Sequence, residues 1–351
     1  MSLTDFRTLG RSGLVVSPFA LGTMTFGAAR WGTADEASRA VFDAYVDAGG
    51  NFVDTADVYA GGRSEEVLGA CVAERGLRDR LVLATKCGFS AEAGNPNAGG
   101  NGRKNIRRAV EGSLRRLRTD WIDLYWLHVW DTVTPTEEAL QSLGDLVRAG
   151  KVRYFGLSDA PAWYAARMAT LAAAHGVPGP IALQLEHSLV ERSIEREHVP
   201  AARECGLGLT PWSPLAGGFL AGKYRREGGG GASGEGRLGG DNPFGNSKFT
   251  ERNWRVLEAL RGVAAEIGRP PAQVALAWVS SRPGVAAPIL GASRPEQLRD
   301  NLASLGLVLA PGQLRALDEA GAPEPAHPYG IFAPGVVRNA VFGGAAVRGW
   351  R

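Results

Sequence analysis

Short apolar runs alternate with longer amphipathic stretches along most of the chain. The amphipathic stretches repeat their apolar positions at helical spacing, as Ile106, Val110, Leu114 and Leu117 do. Strands that alternate with helices in this way pair in parallel through right-handed crossovers. Eight apolar runs predict strands, at residues 19–22, 51–54, 81–86, 121–127, 152–157, 181–185, 208–212 and 286–290. Eight such units predict an α/β fold, a closed (β/α)8 TIM barrel.

Further elements surround the predicted barrel. Two short runs at 6–9 and 14–17 predict an N-terminal β-hairpin that turns at Arg11-Ser12-Gly13. Helices are predicted at residues 34–46, 64–75, 104–118, 136–149, 162–174, 194–204, 251–267, 271–281, 295–304 and 311–320. We expect a single domain over residues 1–351, with a glycine-rich flexible loop at 225–250 and an irregular C-terminal tail at 323–351.

An open, doubly wound sheet is the competing architecture, because it has the same alternation of strands and helices. Two observations favour the barrel. No G-x-G-x-x-G motif follows the first strand. In addition, the chemically capable side chains are spread over the ends of many strands, and in a barrel all those ends meet on one face.

Four polar side chains stand at or just after three consecutive predicted strands. Asp54, Lys86 and His128 end the strands, and Tyr59 lies on the loop after Asp54. Each has an ordinary explanation when taken alone: a turn aspartate, a loop tyrosine, a surface lysine and a hydrogen-bonded core histidine. The barrel brings all four together, and the sequence therefore predicts a site of proton chemistry at that face.

Composition limits the classes of function. The chain has 351 residues, a net charge of +3 and a pI of about 8.8, which is too mildly basic to indicate a nucleic-acid partner. Its widely spaced cysteines, Cys71, Cys87 and Cys205, predict neither a disulfide framework nor a metal site. They indicate a reducing compartment, and we expect a cytoplasmic protein without a signal peptide, a membrane span or a bound metal.

An ordered series of motifs carries a resemblance to a known family. The motifs are Leu21-Gly22-Thr23-Met24, Phe52-Val53-Asp54-Thr55-Ala56-Asp57-Val58-Tyr59, Gly62-Arg63-Ser64-Glu65-Glu66, Ala84-Thr85-Lys86, Ile122-Asp123-Leu124-Tyr125 with Leu127-His128, Gly156-Leu157-Ser158, Gln184, Trp212-Ser213-Pro214-Leu215-Ala216-Gly217-Gly218, and Pro288-Ile289-Leu290-Gly291-Ala292-Ser293-Arg294 with Gln297 and Asn301. Each motif is weak alone, but the ordered set is specific. Over nearly its whole length the chain resembles the aldo-keto reductases, in the branch that includes potassium-channel beta subunits and bacterial aldo/keto reductases.

The resemblance implies a catalytic tetrad that reduces an aldehyde or ketone to the alcohol by reversible hydride transfer. Tyr59 would be the general acid that protonates the carbonyl oxygen. Lys86 would stabilise the phenolate and bring the tyrosine pKa from about 10 toward the working range. Asp54 would keep Lys86 charged and in place, and His128 would orient the substrate oxygen.

The resemblance also implies a nicotinamide cofactor, because no side chain can supply a hydride. Ser293 and Arg294 would bind an adenosine 2′-phosphate, which favours NADPH over NADH. Two positions differ from the usual family residue. Asp159 stands where asparagine is usual, and Trp212, which would stack on the nicotinamide ring, stands where many relatives have tyrosine. The full set of cofactor-binding residues implied by the resemblance is Thr23, Met24, Asp54, Ser158, Gln184, Trp212, Ser213, Leu215, Gly217, Lys223, Gly291, Ser293, Arg294, Gln297 and Asn301.

The sequence allows two other interpretations. The stretch from Gly217 to Lys223 has the spacing of a nucleotide phosphate-binding loop, but Tyr224 replaces the serine or threonine that would hold magnesium. A nucleoside triphosphatase is therefore not favoured. The second alternative is a regulatory subunit of the channel-beta type, which would bind the cofactor with little turnover.

The substrate pocket is less sharply defined than the tetrad. We expect apolar walls from aromatic residues that follow several strand ends, with Phe26, Trp31, Phe89 and Trp130 as candidates. The tail near residues 329–332 is a further candidate, although any of these aromatics could instead anchor a loop on the barrel. The partner would be a small carbonyl compound, and the sequence does not indicate an oligomeric state.

Overall fold

A computed structural model describes residues 1–28, 32–226, 232–233, 237–238 and 248–347. Eight strands form one parallel sheet in the order β12-β3-β4-β5-β6-β7-β8-β9. Two antiparallel pairs, β1 with β2 and β10 with β11, lie outside it. The strands are β1 Arg7–Thr8, β2 Val15–Val16, β3 Ala20–Gly22, β4 Phe52–Asp54, β5 Val82–Cys87, β6 Ile122–Leu127, β7 Val152–Ser158, β8 Pro180–Gln184, β9 Gly208–Leu209, β10 Arg225–Arg226, β11 Ala232–Ser233 and β12 Ile289–Gly291.

The sheet closes into a barrel through backbone hydrogen bonds between β9 and the segment that leads into β12. The Leu209 amide donates to the Gly284 carbonyl at 2.9 Å, and the Ala286 amide donates to the Leu209 carbonyl at 2.8 Å. The Ile289 amide then bonds to the Pro211 carbonyl at 2.8 Å. The predicted (β/α)8 barrel is confirmed, and the open-sheet alternative is excluded.

The helices follow the predicted pattern with small shifts at their ends. They are α1 Asp35–Asp47, α2 Arg63–Arg75, α3 Arg103–Leu117, α4 Thr136–Arg148, α5 Ala162–His175, α6 His198–Cys205, α7 Glu251–Glu266, α8 Pro271–Ser280, α9 Pro295–Leu302 and α10 Pro311–Ala320. The largest shift is at α6, where a separate 3₁₀ turn at Ser193–Glu195 occupies the first residues of the predicted helix.

Apolar side chains form separate cores. The main core fills the layer between the strands and the surrounding helices. A smaller cluster inside the barrel includes Phe52, Leu124 and Trp126. A further core joins α7, α8 and α10 around the buried Trp278 and lies beside the barrel.

The predicted N-terminal hairpin closes the bottom of the barrel. Leu9 and Val16 are fully buried and belong to the cluster inside the barrel. The Arg11 amide donates to the Gly206 carbonyl at 2.7 Å, just before β9 begins. In barrels of this kind active sites lie at the opposite end, where the strands terminate.

The two remaining parts of the chain are the glycine-rich region and the C-terminal tail. The predicted flexible loop at 225–250 falls largely outside the described residues, although β10 and β11 form a short hairpin within it. The tail has brief helical turns, including Tyr329–Phe332, and many exposed side chains. The described helices include none with both the length and the apolar character needed to cross a membrane.

Candidate active site

Strand alternation explains why the predicted tetrad points inward. Successive side chains of a strand face opposite sides of the sheet. On β6, Leu124 and Trp126 lie inside the barrel while Tyr125 packs in the outer layer. His128 continues the inward series two residues beyond Trp126. Ala84 and Lys86 on β5 follow the same rule, as Phe52 and Asp54 do on β4.

The four side chains converge as the sequence predicts. The Lys86 ammonium donates to Asp54 Oδ2 at 2.5 Å, to the Thr55 carbonyl at 2.7 Å and to the Tyr59 hydroxyl at 3.3 Å. Lys86 is fully buried. The His128 ring stands edge-on to the Tyr59 ring, with centroids 5.7 Å apart. The arrangement places the Tyr59 hydroxyl, which can donate a proton, next to the immobilised ammonium group of Lys86.

Burial and charge act on these groups in opposite directions. Desolvation is the largest influence on Lys86 and lowers its pKa, but the charges and hydrogen bonds of Asp54 and Tyr59 together outweigh it, and the pKa of Lys86 lies above its ordinary value. Desolvation also raises the pKa of Tyr59 above its ordinary value, and the nearby Lys86 offsets this only in part. The contribution of Lys86 has the expected sign, but the expected net fall of the tyrosine pKa is wrong because burial dominates. Tyr59 is consequently a protonated phenol at neutral pH.

His128 is held as a neutral imidazole. Desolvation, followed by the charge of Lys86, lowers the pKa of His128 to about 2. Its Nδ1 atom has no hydrogen-bond partner among the described residues. Phe89 covers the ring edge-on at a centroid distance of 4.6 Å. A neutral imidazole can donate one hydrogen bond without bringing a second positive charge to the site.

A cavity of about 990 Å³ opens above the tetrad and runs along the ends of the strands. It joins residues that are distant in sequence, which is what the resemblance implies. The sequence-predicted residues that line it are Met24, Asp54, Tyr59, Phe89, His128, Ser158, Gln184, Trp212, Ser213, Leu215, Gly217, Lys223, Gly291, Ser293, Arg294, Gln297 and Asn301.

Other predicted residues lie away from the cavity wall. Thr23 is fully buried, and its hydroxyl shares a 2.8 Å hydrogen bond with Ser64. Phe26 is also fully buried and packs in the main core. Trp130 is half-buried against the same core. None of the three lines the cavity, because each side chain packs against the protein itself; the contacts of Thr23 with the cofactor and of Phe26 and Trp130 with the pocket stay predictions. Trp31 lies outside the described residues.

The structure adds residues that the sequence did not suggest. Arg237 lines the cavity, and a guanidinium nitrogen lies 3.6 Å from Met24 Sδ. Gln273 on α8 lines it too, with its amide nitrogen 2.8 Å from the Asp300 carbonyl. Arg237 lies in the glycine-rich stretch, which has no periodicity, and no pattern marks Gln273 among the polar residues at helix starts. Only the tertiary packing shows their position.

The walls suit a dinucleotide. Lys223 and Arg294 provide cations for phosphate groups, and Trp212 provides a flat ring. A side chain carbon placed at Gly291 would meet no atom within 4 Å, so the wall is open there. Asn301 Nδ2 and Gln273 Oε1 are buried without partners among the described residues, which leaves a donor and an acceptor for a polar ring.

Asp159 holds the indole of Trp212. Its Oδ1 accepts a hydrogen bond from Trp212 Nε1 at 3.0 Å. The residue has a positive φ of 41°, a conformation that Asp and Asn tolerate better than most residues. Desolvation raises the pKa of Asp159 to about 6, although the hydrogen bond from Trp212 and the charge of Lys86 work against the rise. This carboxyl therefore changes charge within the physiological range.

The part of the chain that the structure describes contains no candidate metal site. No group of three or more His, Cys, Asp or Glu side chains is placed there to hold an ion. The three cysteines are free thiols. The chemistry of the site is that of a phenol, an ammonium group, an imidazole and carboxyl groups.

A barrel with this site at the ends of its strands defines a class of oxidoreductase, and comparison with known proteins gives the family. Residues 18–322 match the model of the aldo/keto reductase family. The chain belongs to the aldo/keto reductase family.

Several relatives match along most of their length. Norsolorinic acid reductase of Emericella nidulans is 39% identical over 321 residues, which cover 88% of this chain and 79% of the relative. The NADP⁺-dependent aryl-alcohol dehydrogenase of Phanerodontia chrysosporium is 35% identical, with 94% and 89% covered. A probable voltage-gated potassium channel subunit beta of Oryza sativa is 35% identical, with 87% and 92% covered. The family and its oxidoreductase members associate this chain with carbonyl reduction.

Proposed function

We propose that the protein is an NADPH-dependent reductase that converts aldehydes or ketones into alcohols, with Tyr59 as the proton donor. One observation carries the proposal: the Tyr59 hydroxyl faces a large cavity and is backed by the buried Lys86–Asp54 ion pair. A phenol next to a buried, fixed ammonium group can release its proton to a substrate oxygen and be stabilised as phenolate.

Each member of the tetrad has a distinct task in this mechanism. The Tyr59 hydroxyl and the neutral His128 both donate hydrogen bonds to the carbonyl oxygen and polarise it. As negative charge develops on that oxygen, Tyr59 transfers its proton. Lys86 then stabilises the phenolate, and Asp54 keeps Lys86 charged and immobile. Gln184 supports the pair, because its amide nitrogen donates to Asp54 Oδ1 at 3.0 Å.

The cofactor, when bound, would supply the hydride. We infer that Ser158, Gln184 and Trp212 hold its nicotinamide end next to the tetrad. Lys223, Ser293 and Arg294 would bind its phosphates, and Gln297 and Asn301 would meet the adenine. The guanidinium of Arg294 favours the extra phosphate of NADPH over NADH. The name of the aryl-alcohol dehydrogenase, which includes NADP⁺, agrees with this choice.

A regulatory role is the second candidate. It is favoured by the similarity to a protein named as a probable channel subunit beta. Such a protein would bind the cofactor and turn over slowly. The two candidates differ in rate constants rather than in fold, so kinetics separates them.

The first test is Tyr59→Phe, which removes the proton donor and keeps the ring. We expect turnover of a panel of aldehydes, followed by NADPH absorbance, to fall about 10²- to 10⁴-fold, the usual contribution of one general acid. NADPH affinity, measured by fluorescence titration, should stay within about threefold of wild type because the ring contacts remain.

Three results would change the conclusion. Equal turnover of Tyr59→Phe and wild type would remove Tyr59 from the mechanism. NADPH binding without turnover in either protein would favour the regulatory role. Absence of NADPH binding in both would refute the inferred cofactor site.

A further inference from the structure

A second concave site lies on the outer surface of the barrel, between α1, α2 and α3, and we call it the arginine groove. It has a volume of about 440 Å³. Its lining comes from one face of α2, from the start of α1 and from the end of α3. The buried Val67 and Ala70 of α2 are its apolar members. Among the described residues it shares none with the cavity above the tetrad, so the proposed function does not use it.

On the α1 side of the arginine groove, the acidic residues are already paired. Arg63 forms ion pairs with Asp35 and, at 2.8 Å, with Glu66. Arg39 forms an ion pair with Glu74. Arg63 therefore takes two carboxylates for its single charge. The cations on the other side of the groove are left without these partners.

That other side is formed by Arg115, Arg116 and Arg118 at the end of α3. The side chains of Arg115 and Arg118 have no hydrogen bond or ion pair to any part of the chain that the structure describes. Three like charges within this short stretch repel one another, and an anion bound between them would relieve the repulsion. The α3 side of the groove is therefore a cationic wall that can accept an anion.

Arg116 is held in a fixed orientation within this wall. Its Nε donates to Oε2 of the fully buried Glu65 at 2.6 Å. The same carboxylate accepts from the Thr85 hydroxyl at 2.6 Å, which fixes it further. The Arg116 side chain is 29% exposed, and its two terminal nitrogens have no partner among the described residues. A guanidinium anchored in this way offers its remaining donors in one plane and loses little freedom when it binds an anion.

We propose that the arginine groove binds a small anion that carries more than one phosphate group, held between Arg116, Arg115 and Arg118. A phosphate monoester carries a charge of about −1.5 to −2 at pH 7 and three acceptor oxygens, so it can accept from several guanidinium groups at once. The volume of about 440 Å³ lies in the range of small-molecule sites. This inference is independent of the proposed carbonyl reduction.

Calorimetric titration with inorganic pyrophosphate at low salt provides the test, with NADP⁺ present because the proposed cofactor site also has cations. We expect Arg115→Gln/Arg118→Asn to bind pyrophosphate about tenfold or more weakly than wild type, since charge-assisted hydrogen bonds to two guanidinium groups are lost. Asparagine suits position 118, where φ is +55°. Arg103→Gln/Arg107→Gln is the matched control, because it removes the same charge from exposed positions of α3 outside the groove.

Weaker pyrophosphate binding in the groove variant, but not in the control, supports the site whether or not the protein reduces any carbonyl. Absence of pyrophosphate binding in wild type, or equal affinity in all three proteins, overturns it. An equal loss in both double variants would assign the binding to overall charge and would also overturn it. Hexaglutamate is a second probe, and its binding without that of pyrophosphate would make the groove a peptide site and refute the small-anion assignment.

Thermal unfolding gives an independent measurement of the same site. A ligand that binds the folded state raises the unfolding midpoint in proportion to its occupancy of the site. Pyrophosphate should therefore raise the midpoint of wild type and of Arg103→Gln/Arg107→Gln more than that of Arg115→Gln/Arg118→Asn. Equal rises in the three proteins would contradict the proposal.

Discussion

Asp159 stands where the family pattern usually has asparagine, and a carboxyl group differs chemically from that amide. An asparagine amide can donate a hydrogen bond at any pH, whereas a carboxyl group can donate only when it is protonated. In this protein the carboxyl already accepts from the Trp212 indole. Its capacity to donate to a bound carboxamide therefore depends on pH, and the charged groups that act on it are Glu186 and Lys86.

This dependence predicts a pH effect on cofactor affinity. The pKa of Asp159 is raised to about 6, so the neutral form prevails below that pH and disappears as the pH rises through it. We expect the NADPH Kd of wild type to rise by up to about 15-fold between about pH 6 and pH 7.5, since the neutral fraction of a group with a pKa of about 6 falls from about one half to about 3% over that range.

Asp159→Asn is the comparison for that prediction, with Kd measured by fluorescence titration across the same range. The variant keeps any titration of the cofactor phosphate, which has its own pKa near 6. The pH dependence of the wild-type to variant Kd ratio therefore isolates Asp159. A ratio that stays constant with pH would show that Asp159 does not donate to the cofactor.

At the residue scale, the sequence predicts which residues form the tetrad better than it predicts how deeply a side chain is buried or what it contacts. Asp54, Lys86 and His128 are found from strand ends alone, because the inward side of each strand is fixed by alternation. Thr23 and Phe26 lie next to the same loops, yet they face inward to partners that no local pattern reveals. The upward shift of the Tyr59 pKa also depends on burial depth, which the sequence does not contain.

At the scale of elements, a buried carboxylate joins three of them. Glu65 on α2 is fully buried. Its Oε1 accepts from the Thr85 hydroxyl on β5 at 2.6 Å, and its Oε2 accepts from Arg116 Nε on α3 at 2.6 Å. Because β5 also carries Lys86, this network holds the tetrad strand against its helices.

Glu65→Ala should therefore be strongly destabilising. It leaves the Arg116 charge and the Thr85 hydroxyl without their partner, and breaking such a pair costs about 3–5 kcal/mol of unfolding free energy. The neighbouring Glu66 pairs with Arg63 at 48% and 49% side-chain exposure. Glu66→Ala should cost about 1 kcal/mol or less. Urea unfolding of both variants provides the measurement, and similar costs would refute a structural role for the buried network.

The order and type of the elements follow from periodicity with few errors. The exceptions are informative. The α6 helix begins later than predicted because the chain first makes a 3₁₀ turn at Ser193–Glu195. The β10–β11 hairpin lies in a glycine-rich stretch without an apolar pattern, so the sequence predicts no strand there.

At the scale of the whole molecule, the two ends of the barrel have different tasks. The N-terminal hairpin seals one end, and the tetrad and cavity occupy the other. In barrels of this kind, changes at the strand starts affect stability, while changes at the strand ends affect chemistry. Gly10 tests this division, because it sits where the hairpin meets the barrel.

Gly10→Ala should destabilise the protein and leave the tetrad chemistry unchanged. Gly10 has a φ of +61°, and an added Cβ would lie 2.5 Å from both the Gly208 nitrogen and the Ile181 oxygen. We expect a loss of about 3 kcal/mol or more in urea unfolding, from strain plus overlap. Gly76→Ala is the control for strain alone, since φ is +59° with nothing within 4 Å. Its cost should be about 1–2 kcal/mol. Equal costs would show that the hairpin yields to the added methyl group.

The separate core formed by α7, α8 and α10 has a consequence for communication within the molecule. Gln273 and Tyr224 belong to that side and line the cavity, whereas Asp54 and His128 belong to the barrel. Parts with their own cores can open independently, each with its own local stability. A ligand that spans the cavity would tie the two parts together, so that ordering one makes ordering the other less costly. The proposed dinucleotide cofactor would then hold the two parts together in addition to taking part in the reaction.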